Sequence, residues 1–287
     1  MPQLPGRPDS MGRSIEVEIV TRASADKVWQ AWTEPARNEE WFSEVASGAV
    51  LAGSQVSWSF MRIPAEMKFR VVDARPGERL LLVGCGEIPG TVEVLISTAH
   101  DGTRVRLIHS GLPSTADFDS DFSTVTSGWR LALAILGYYT EFHFGRPRQG
   151  FLVWRRSRFP AARLARLYRD PAGLQEWLAD GGSLGTPGGR VHLALKSGET
   201  LRGDMLADTG TEIAMAWDEI EGVLQLKTFP LPEEPGLRAI CIWGWGWGLS
   251  SERARRIEKD MGEALERLDR VLEGSEIRQA ALPLQRG

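Results

Sequence analysis

The chain has 287 residues, 42% hydrophobic and 25% charged, with 34 Lys and Arg against 38 Asp and Glu. The resulting net charge of −4 gives no global electrostatic case for nucleic acid or an anionic membrane, and no apolar run approaches the ~20 residues that span a bilayer. This length suits one large domain or two of ordinary size.

Residues 1–13 carry Pro2, Pro5 and Pro8 and no apolar run, so they read as a disordered lead-in rather than a signal peptide. From Ser14 to Thr21 the chain alternates, with Ile15, Val17 and Ile19 on one face and Glu16 and Glu18 on the other; this predicts a half-buried strand. Ala25 to Thr33 places Val28, Trp29 and Trp32 at helical spacing after a capping residue, Ser24. Pro35 restricts Glu34 and separates this helix from a second short one that ends in Trp41-Phe42. Strand follows strand from Val45 to Ser110. Val56, Trp58 and Phe60 share a face, as do Met67, Phe69 and Val71, then Val92, Val94 and Ile96, then Val105, Leu107 and His109. Pro76-Gly77 and Asp101-Gly102 mark turns between them.

Ser123 to Phe142 predicts a long helix whose only charges are Arg130 and Glu141. A helix apolar nearly all round is buried on more than one side, so a second domain or a second copy of the chain is expected to cover its outer face. Gly145 to Gly150 is the best linker. The acid-Pro pair Glu34-Pro35 and Trp41 then recur as Asp170-Pro171 and Trp177, at a constant offset of 136 residues. The second half repeats the order: a strand from Phe151 to Arg158, a helix pair from Ala161 to Leu178, further strands, and an amphipathic helix from Ser250 to Leu272. Two domains are therefore expected, 14–144 and 151–273.

The residues Val28-Trp29, Ala31-Trp32-Thr33-Glu34-Pro35 and Trp41-Phe42, with Pro76-Gly77-Glu78-Arg79-Leu80, Gly102-Thr103-Arg104-Val105, His109-Ser110-Gly111 and Gly128-Trp129, form an ordered set. It resembles the homologues of the activator of the ninety-kilodalton heat-shock-protein ATPase, in the START-like SRPBCC superfamily. The resemblance spans nearly all of the first half and is weaker in the second. It implies an α+β fold of two tandem helix-grip domains, each a curved antiparallel sheet wrapped around a long C-terminal helix, with a cavity between sheet and helix. It also implies binding of a lipid- or polyketide-like hydrophobic molecule in the first cavity, without catalysis. The lining expected there is Trp58, Phe60, Met67, Phe69, Leu107, His109, Trp129 and Leu133. Two alternatives stand beside this: a polyketide cyclase or hydrolase using His109, and a chaperone-linked interaction module.

His109 reads either as a ligand anchor or general base in an apolar pocket, or as a hydrogen-bonded histidine at a strand end. Alignment through Gly102 and Gly236 puts Trp243 at the place of His109 and Trp245 at the place of Gly111. If these faces point inward, the indoles close the second cavity and leave that domain mainly structural. Gly244-Trp245-Gly246-Trp247-Gly248 is no dinucleotide fingerprint, because its third glycine falls one place early. Arg146, Arg148, Arg155, Arg156, Arg158, Arg163, Arg166 and Arg169 run without an acid among them, and are expected on solvated faces and in inter-domain ion pairs rather than on nucleic acid. His100, His143 and His192 are scattered, and Cys85 and Cys241 have no metal-site spacing. No cofactor or metal is expected. Two widely separated cysteines fit reduced core residues of a cytoplasmic protein. The expected partners are a hydrophobic small molecule and either a second copy of the chain or a chaperone, with neither nucleic acid nor membrane.

Overall fold

In the computed structural model, which describes residues 12–62, 65–85, 89–115, 118–231 and 234–280, the first alternating stretch forms β1 (Arg13–Thr21), with Ile15 and Val17 buried and Glu16 and Glu18 exposed. The expected lead-in lies outside the described residues, apart from Gly12 and Arg13, and Arg13 already opens the strand. Next come α1 (Ala25–Thr33), α2 (Pro35–Glu39), β2 (Val45–Ser47), β3 (Gln55–Phe60), β4 (Ala65–Arg75), β5 (Arg79–Gly84), β6 (Thr91–Ala99), β7 (Gly102–Leu112) and α3 (Asp119–Phe142). The second half gives β8 (Gln149–Ser157), α4 (Ala161–Arg169), α5 (Pro171–Trp177), β9 (Ala179–Ser183), β10 (Arg190–Leu195), β11 (Thr200–Asp208), β12 (Ile213–Trp217), β13 (Gly222–Pro230), β14 (Arg238–Gly246) and α6 (Ser251–Ala280).

Two antiparallel seven-stranded sheets result, in the orders β1-β7-β6-β5-β4-β3-β2 and β8-β14-β13-β12-β11-β10-β9. The orders are identical once seven is subtracted from each label of the second. In both, the first strand pairs with the last, and the rest follow by sequential hairpins. This is the α+β, tandem helix-grip architecture. The chain divides into two compact units, residues 1–129 with 136–145 and residues 130–135 with 146–287. The second unit's strand starts at Gln149, so Gln149 and Gly150 belong to β8 rather than to a linker. The two long helices each run further than their apolar pattern, α3 by four residues at its start and α6 by eight at its end.

The repeated acid-Pro phrase has one local cause. Proline disfavours helical backbone in the residue before it. Glu34 and Asp170 accordingly share almost the same extended conformation, φ −94° and ψ 120° against φ −98° and ψ 123°. Each ends one helix and starts the next, which places an indole over the first helix. The Trp41 N–H donates to the Ala31 carbonyl at 2.9 Å, and the Trp177 N–H donates to the Leu167 carbonyl at 3.0 Å.

Within the second unit the core joins Phe151, Tyr168, Leu174, Trp177, Met205, Met215, Trp217, Ile240 and Ile242 to Ile257, Met261, Leu265 and Leu268 of α6. The even-numbered residues of β14 thus face the core. Trp243 and Trp245 fall on the opposite face of the sheet by the two-residue period of a strand, where Trp245 is also buried and the Arg148 guanidinium lies 4.2 Å from its ring centre. The expectation that these indoles fill the second cavity is overturned. Ile15 pairs with His109 across β1 and β7, while Phe151, 136 residues beyond Ile15, pairs with Gly244. The counterpart of His109 is therefore Gly244, not Trp243. A side chain at Gly244 would place its Cβ 2.5 Å from the Phe151 ring, so the glycine makes room for a phenyl group that fills the second core.

Several arginines of the run pair within their own unit. Arg156 meets Glu234 at 2.7 Å, Arg169 meets Asp208 at 2.6 Å, and Arg163 donates to the Leu272 carbonyl at 3.1 Å. Cys85 and Cys241 are both free, and burial pushes the Cys241 thiol up to about 12. Among the described residues no helix is long and apolar enough to cross a membrane, and no group of side chains is placed to hold a metal ion.

Candidate functional site

The first unit's interior is built from aromatics contributed by α1, the turn after α2, β3, β4 and α3. Trp32 comes from α1, Trp41 and Phe42 from the turn after α2, Trp58 and Phe60 from β3, and Phe69 from β4. Trp32 meets Trp41 edge-on at 5.1 Å between ring centres and lies 5.9 Å from Trp58. Trp58 lies 5.0 Å from Phe69, and Phe42 stacks on Trp129 of α3 at 6.0 Å. Offset and edge-on pairs at these distances are the arrangement that ring quadrupoles favour.

Four of the eight residues expected to line a cavity, Trp58, Phe60, Phe69 and Trp129, belong to this cluster. Trp58, Phe69, Leu107, His109, Trp129 and Leu133 are buried, and Phe60 and Met67 are half-buried. Trp58 also lines the gap described below.

His109 is held at both nitrogens. The Trp129 indole N–H donates to Nδ1 at 3.1 Å, and Nε2 lies 3.0 Å from the Pro89 carbonyl. An indole N–H can only donate and a carbonyl can only accept. The ring is thereby fixed as the neutral tautomer with its proton on Nε2. Its one basic lone pair is occupied, and taking a second proton would mean expelling Trp129. Burial lowers the His109 pKa, with the hydrogen bond to Pro89 opposing it weakly. Geometry and electrostatics both give the hydrogen-bonded strand histidine, not a poised general base.

The lowered pKa has a stability consequence. Above about pH 6.5 the imidazole is neutral in folded and unfolded chains alike; below it the unfolded chain takes up the proton first. Wild-type protein is therefore expected to lose stability as pH falls below about 6.5. His109→Gln, which keeps an amide donor toward Pro89, should lose less. Urea midpoints of the two proteins measured from pH 7.5 to pH 5 check this; parallel curves would contradict it.

A gap lies in the first unit among the described residues, and sequence reasoning pointed to only one of its walls. Its buried floor is Trp32, Asn38, Val56, Trp58, Leu80 and Leu82, and its rim is Thr33, Pro35, Ala46, Ser47, Gly48 and Val50. Its enclosed volume is about 10 Å³, close to the space of one water molecule. Gly48 adopts φ +92°, and a Cβ there would meet the Gln55 carbonyl oxygen at 2.1 Å. The rim loop thus depends on glycine to close down on β3. Asn38 and Trp32 each carry a buried N–H group with no partner among the described residues, at Nδ2 and Nε1. The Asn38 Oδ1 is occupied, accepting from Ser43 Oγ at 2.6 Å. The sequence signal for Asn38 was its place three residues after Pro35, but nothing in periodicity marks one polar residue of a short helix as buried.

A larger cleft of about 340 Å³ lies in the second unit, lined by Arg156, Ser157, Arg158, Phe159, Leu237, Asp269 and Glu273. Four of those seven side chains are charged, and Arg156 is tied to Glu234. That lining does not suit a hydrophobic ligand.

Residues 22–141 match the model of the family described as Activator of Hsp90 ATPase homolog 1-like protein. Among curated proteins no match is found. Among solved structures, the Aha1 dimer from Colwellia psychrerythraea is 25% identical, with 45% of this chain covering 96% of that one at a TM-score of 0.41. CalU16 from Micromonospora echinospora is 26% identical, with 47% of this chain covering 81% of that one at 0.39. DynU16, from the dynemicin biosynthetic locus, is 17% identical, with 90% of this chain covering 98% of that one at 0.39.

Proposed function

Starting from a first unit that matches the Activator of Hsp90 ATPase homolog 1-like family, we propose that this unit binds a hydrophobic small molecule without catalysing its conversion. The observation that carries the reading is the gap over Trp32 and Trp58. There the unit's aromatic interior runs from a buried floor to a more exposed rim. An apolar floor with a few polar groups is the ordinary composition of a small-molecule site. Enclosed space is small, so the ligand enters by displacing rim residues, and the loop at Gly48 is the element with least side chain in the way. His109 supports the non-catalytic part, since its basic nitrogen is already hydrogen-bonded. Among the described residues no carboxylate hydrogen-bonds it, so the cyclase or hydrolase alternative has no acid–base pair there.

Calorimetric titration of the full chain with ethylnaphthalene tests the reading. One equivalent is expected to bind, and Thr33→Trp, which crowds the rim without touching the core, should weaken it by about tenfold or more. Absence of binding to wild type, or equal binding by the variant, would refute a site at this gap.

A second reading, a protein-interaction module, is favoured by exposed apolar side chains on and around the edge strand β2 and its neighbour β3. Leu51 is 67% exposed and Met61 70%, with Val45 exposed on the edge strand β2. A chaperone or a second copy of the chain would be the partner in that case.

A further inference from the structure

We propose that the ligand of the first unit carries a neutral hydrogen-bond acceptor, a carbonyl or ether oxygen, which is received by the Trp32 and Asn38 N–H groups at the floor of the gap. This deepens the binding function proposed above and rests on it.

Three observations carry the inference. First, Trp32 is 2% exposed and Asn38 1%, and both line the same gap. Each holds a buried donor, Nε1 and Nδ2, that meets no acceptor among the described residues. Buried polar groups are nearly always satisfied, so two unsatisfied donors in one lining mark a place that something outside the chain completes. Secondly, both groups are donors. An indole nitrogen cannot accept, and the accepting end of the Asn38 amide already takes the Ser43 hydroxyl. The complementary group therefore has lone pairs to offer, and a carbonyl oxygen has two. Thirdly, the lining holds no lysine, arginine or histidine. A carboxylate or phosphate would be desolvated there without a counter-charge, which selects a neutral oxygen. The enclosed volume of about 10 Å³ is the size of one oxygen group rather than of a whole ligand. The hydrophobic remainder of the molecule would lie against Trp58, Val56 and the rim. A bound water could occupy the same two donors in the resting protein, and the ligand oxygen would displace it.

Calorimetric titration of the full chain with a matched pair tests the assignment. Acetylnaphthalene presents a ketone oxygen, and ethylnaphthalene has a methylene in its place. Wild type is expected to prefer the ketone by about tenfold, the scale of one or two net hydrogen bonds. Trp32→Phe keeps an aromatic ring and removes the N–H. Asn38→Leu keeps the approximate shape and removes the amide. Each should narrow the preference for the ketone over ethylnaphthalene at least about threefold, and circular dichroism reports that each variant is folded. Equal affinity of wild type for the two probes would overturn the oxygen site and leave the hydrophobic-binding function standing. So would a ketone preference untouched by both substitutions. Binding of neither probe would bring down the binding function and the oxygen site together.

Discussion

Trp177→Ala is expected to destabilise the second unit by about 3–5 kcal/mol, the range found when a large buried aromatic is truncated. The indole is fully buried and belongs to the unit's hydrophobic core. Its ring lies 5.9 Å from Tyr168, and its N–H donates to the Leu167 carbonyl at 3.0 Å. Truncation would leave a cavity where α4, α5 and the sheet meet, and would strip that carbonyl of its side-chain donor. Trp41→Ala should act in the same way on the first unit, through the Ala31 carbonyl and the edge-on contact with Trp32. Trp177→Phe isolates part of the effect, because it keeps much of the ring volume and loses one hydrogen bond; a smaller loss is expected for it. Urea denaturation followed by circular dichroism measures all three. A loss below about 1 kcal/mol for Trp177→Ala would show that the indole is not a keystone of the helix pair.

Glu40→Ala is expected to cost the first unit about 2–3 kcal/mol, chiefly through the donors it abandons. Glu40 sits just beyond α2 and is 7% exposed. Its carboxylate accepts from the Tyr139 hydroxyl, from the Arg37 guanidinium and, at 3.0 Å, from the Gly145 N–H. One acid thus ties α2 to the C-terminal end of α3 and to the residue where the first unit ends. Removing it leaves the Tyr139 hydroxyl buried without its carboxylate, and frees the chain after α3. Arg37 is partly exposed and can turn to water, so its share of the loss is small. Glu40→Gln retains an acceptor and should lose roughly half as much. The same network predicts alkaline behaviour. Burial first, and then the Glu40 carboxylate, raise the Tyr139 pKa. An unfolded tyrosine ionises near pH 10 while the folded one stays neutral, so stability should fall as pH rises above about 10. Tyr139→Phe should flatten that fall. Thermal melts of wild type, Glu40→Ala, Glu40→Gln and Tyr139→Phe between pH 7 and pH 11 check both points. An unchanged midpoint for Glu40→Ala would mean that the carboxylate contributes no net stability.

Much of the architecture was legible in the residues alone. Strands and helices have different apolar periods, so Ile15 and Val17 announce β1, and Val28 and Trp32 announce α1. Proline acts on its immediate neighbour, so Glu34-Pro35 and Asp170-Pro171 place the same break in both halves. The constant spacing to Trp41 and Trp177 then carries the repeat. These are local effects, decided within a few residues, and the sequence by itself determined them. What it could not determine was anything that depends on which distant residue arrives opposite. A two-residue period says that Trp243 and Trp245 share a face, not which face is inside. That was decided by pairing Phe151 with Gly244, the partners that correspond to Ile15 and His109. The role of His109 was likewise closed to sequence reading, since Trp129 and Pro89 reach it from two other segments. The same holds for the floor of the gap. Trp32 and Asn38 come from successive helices, Val56 and Trp58 from β3, and Leu80 and Leu82 from β5. Only packing those elements against one another brought two unsatisfied donors into one apolar lining.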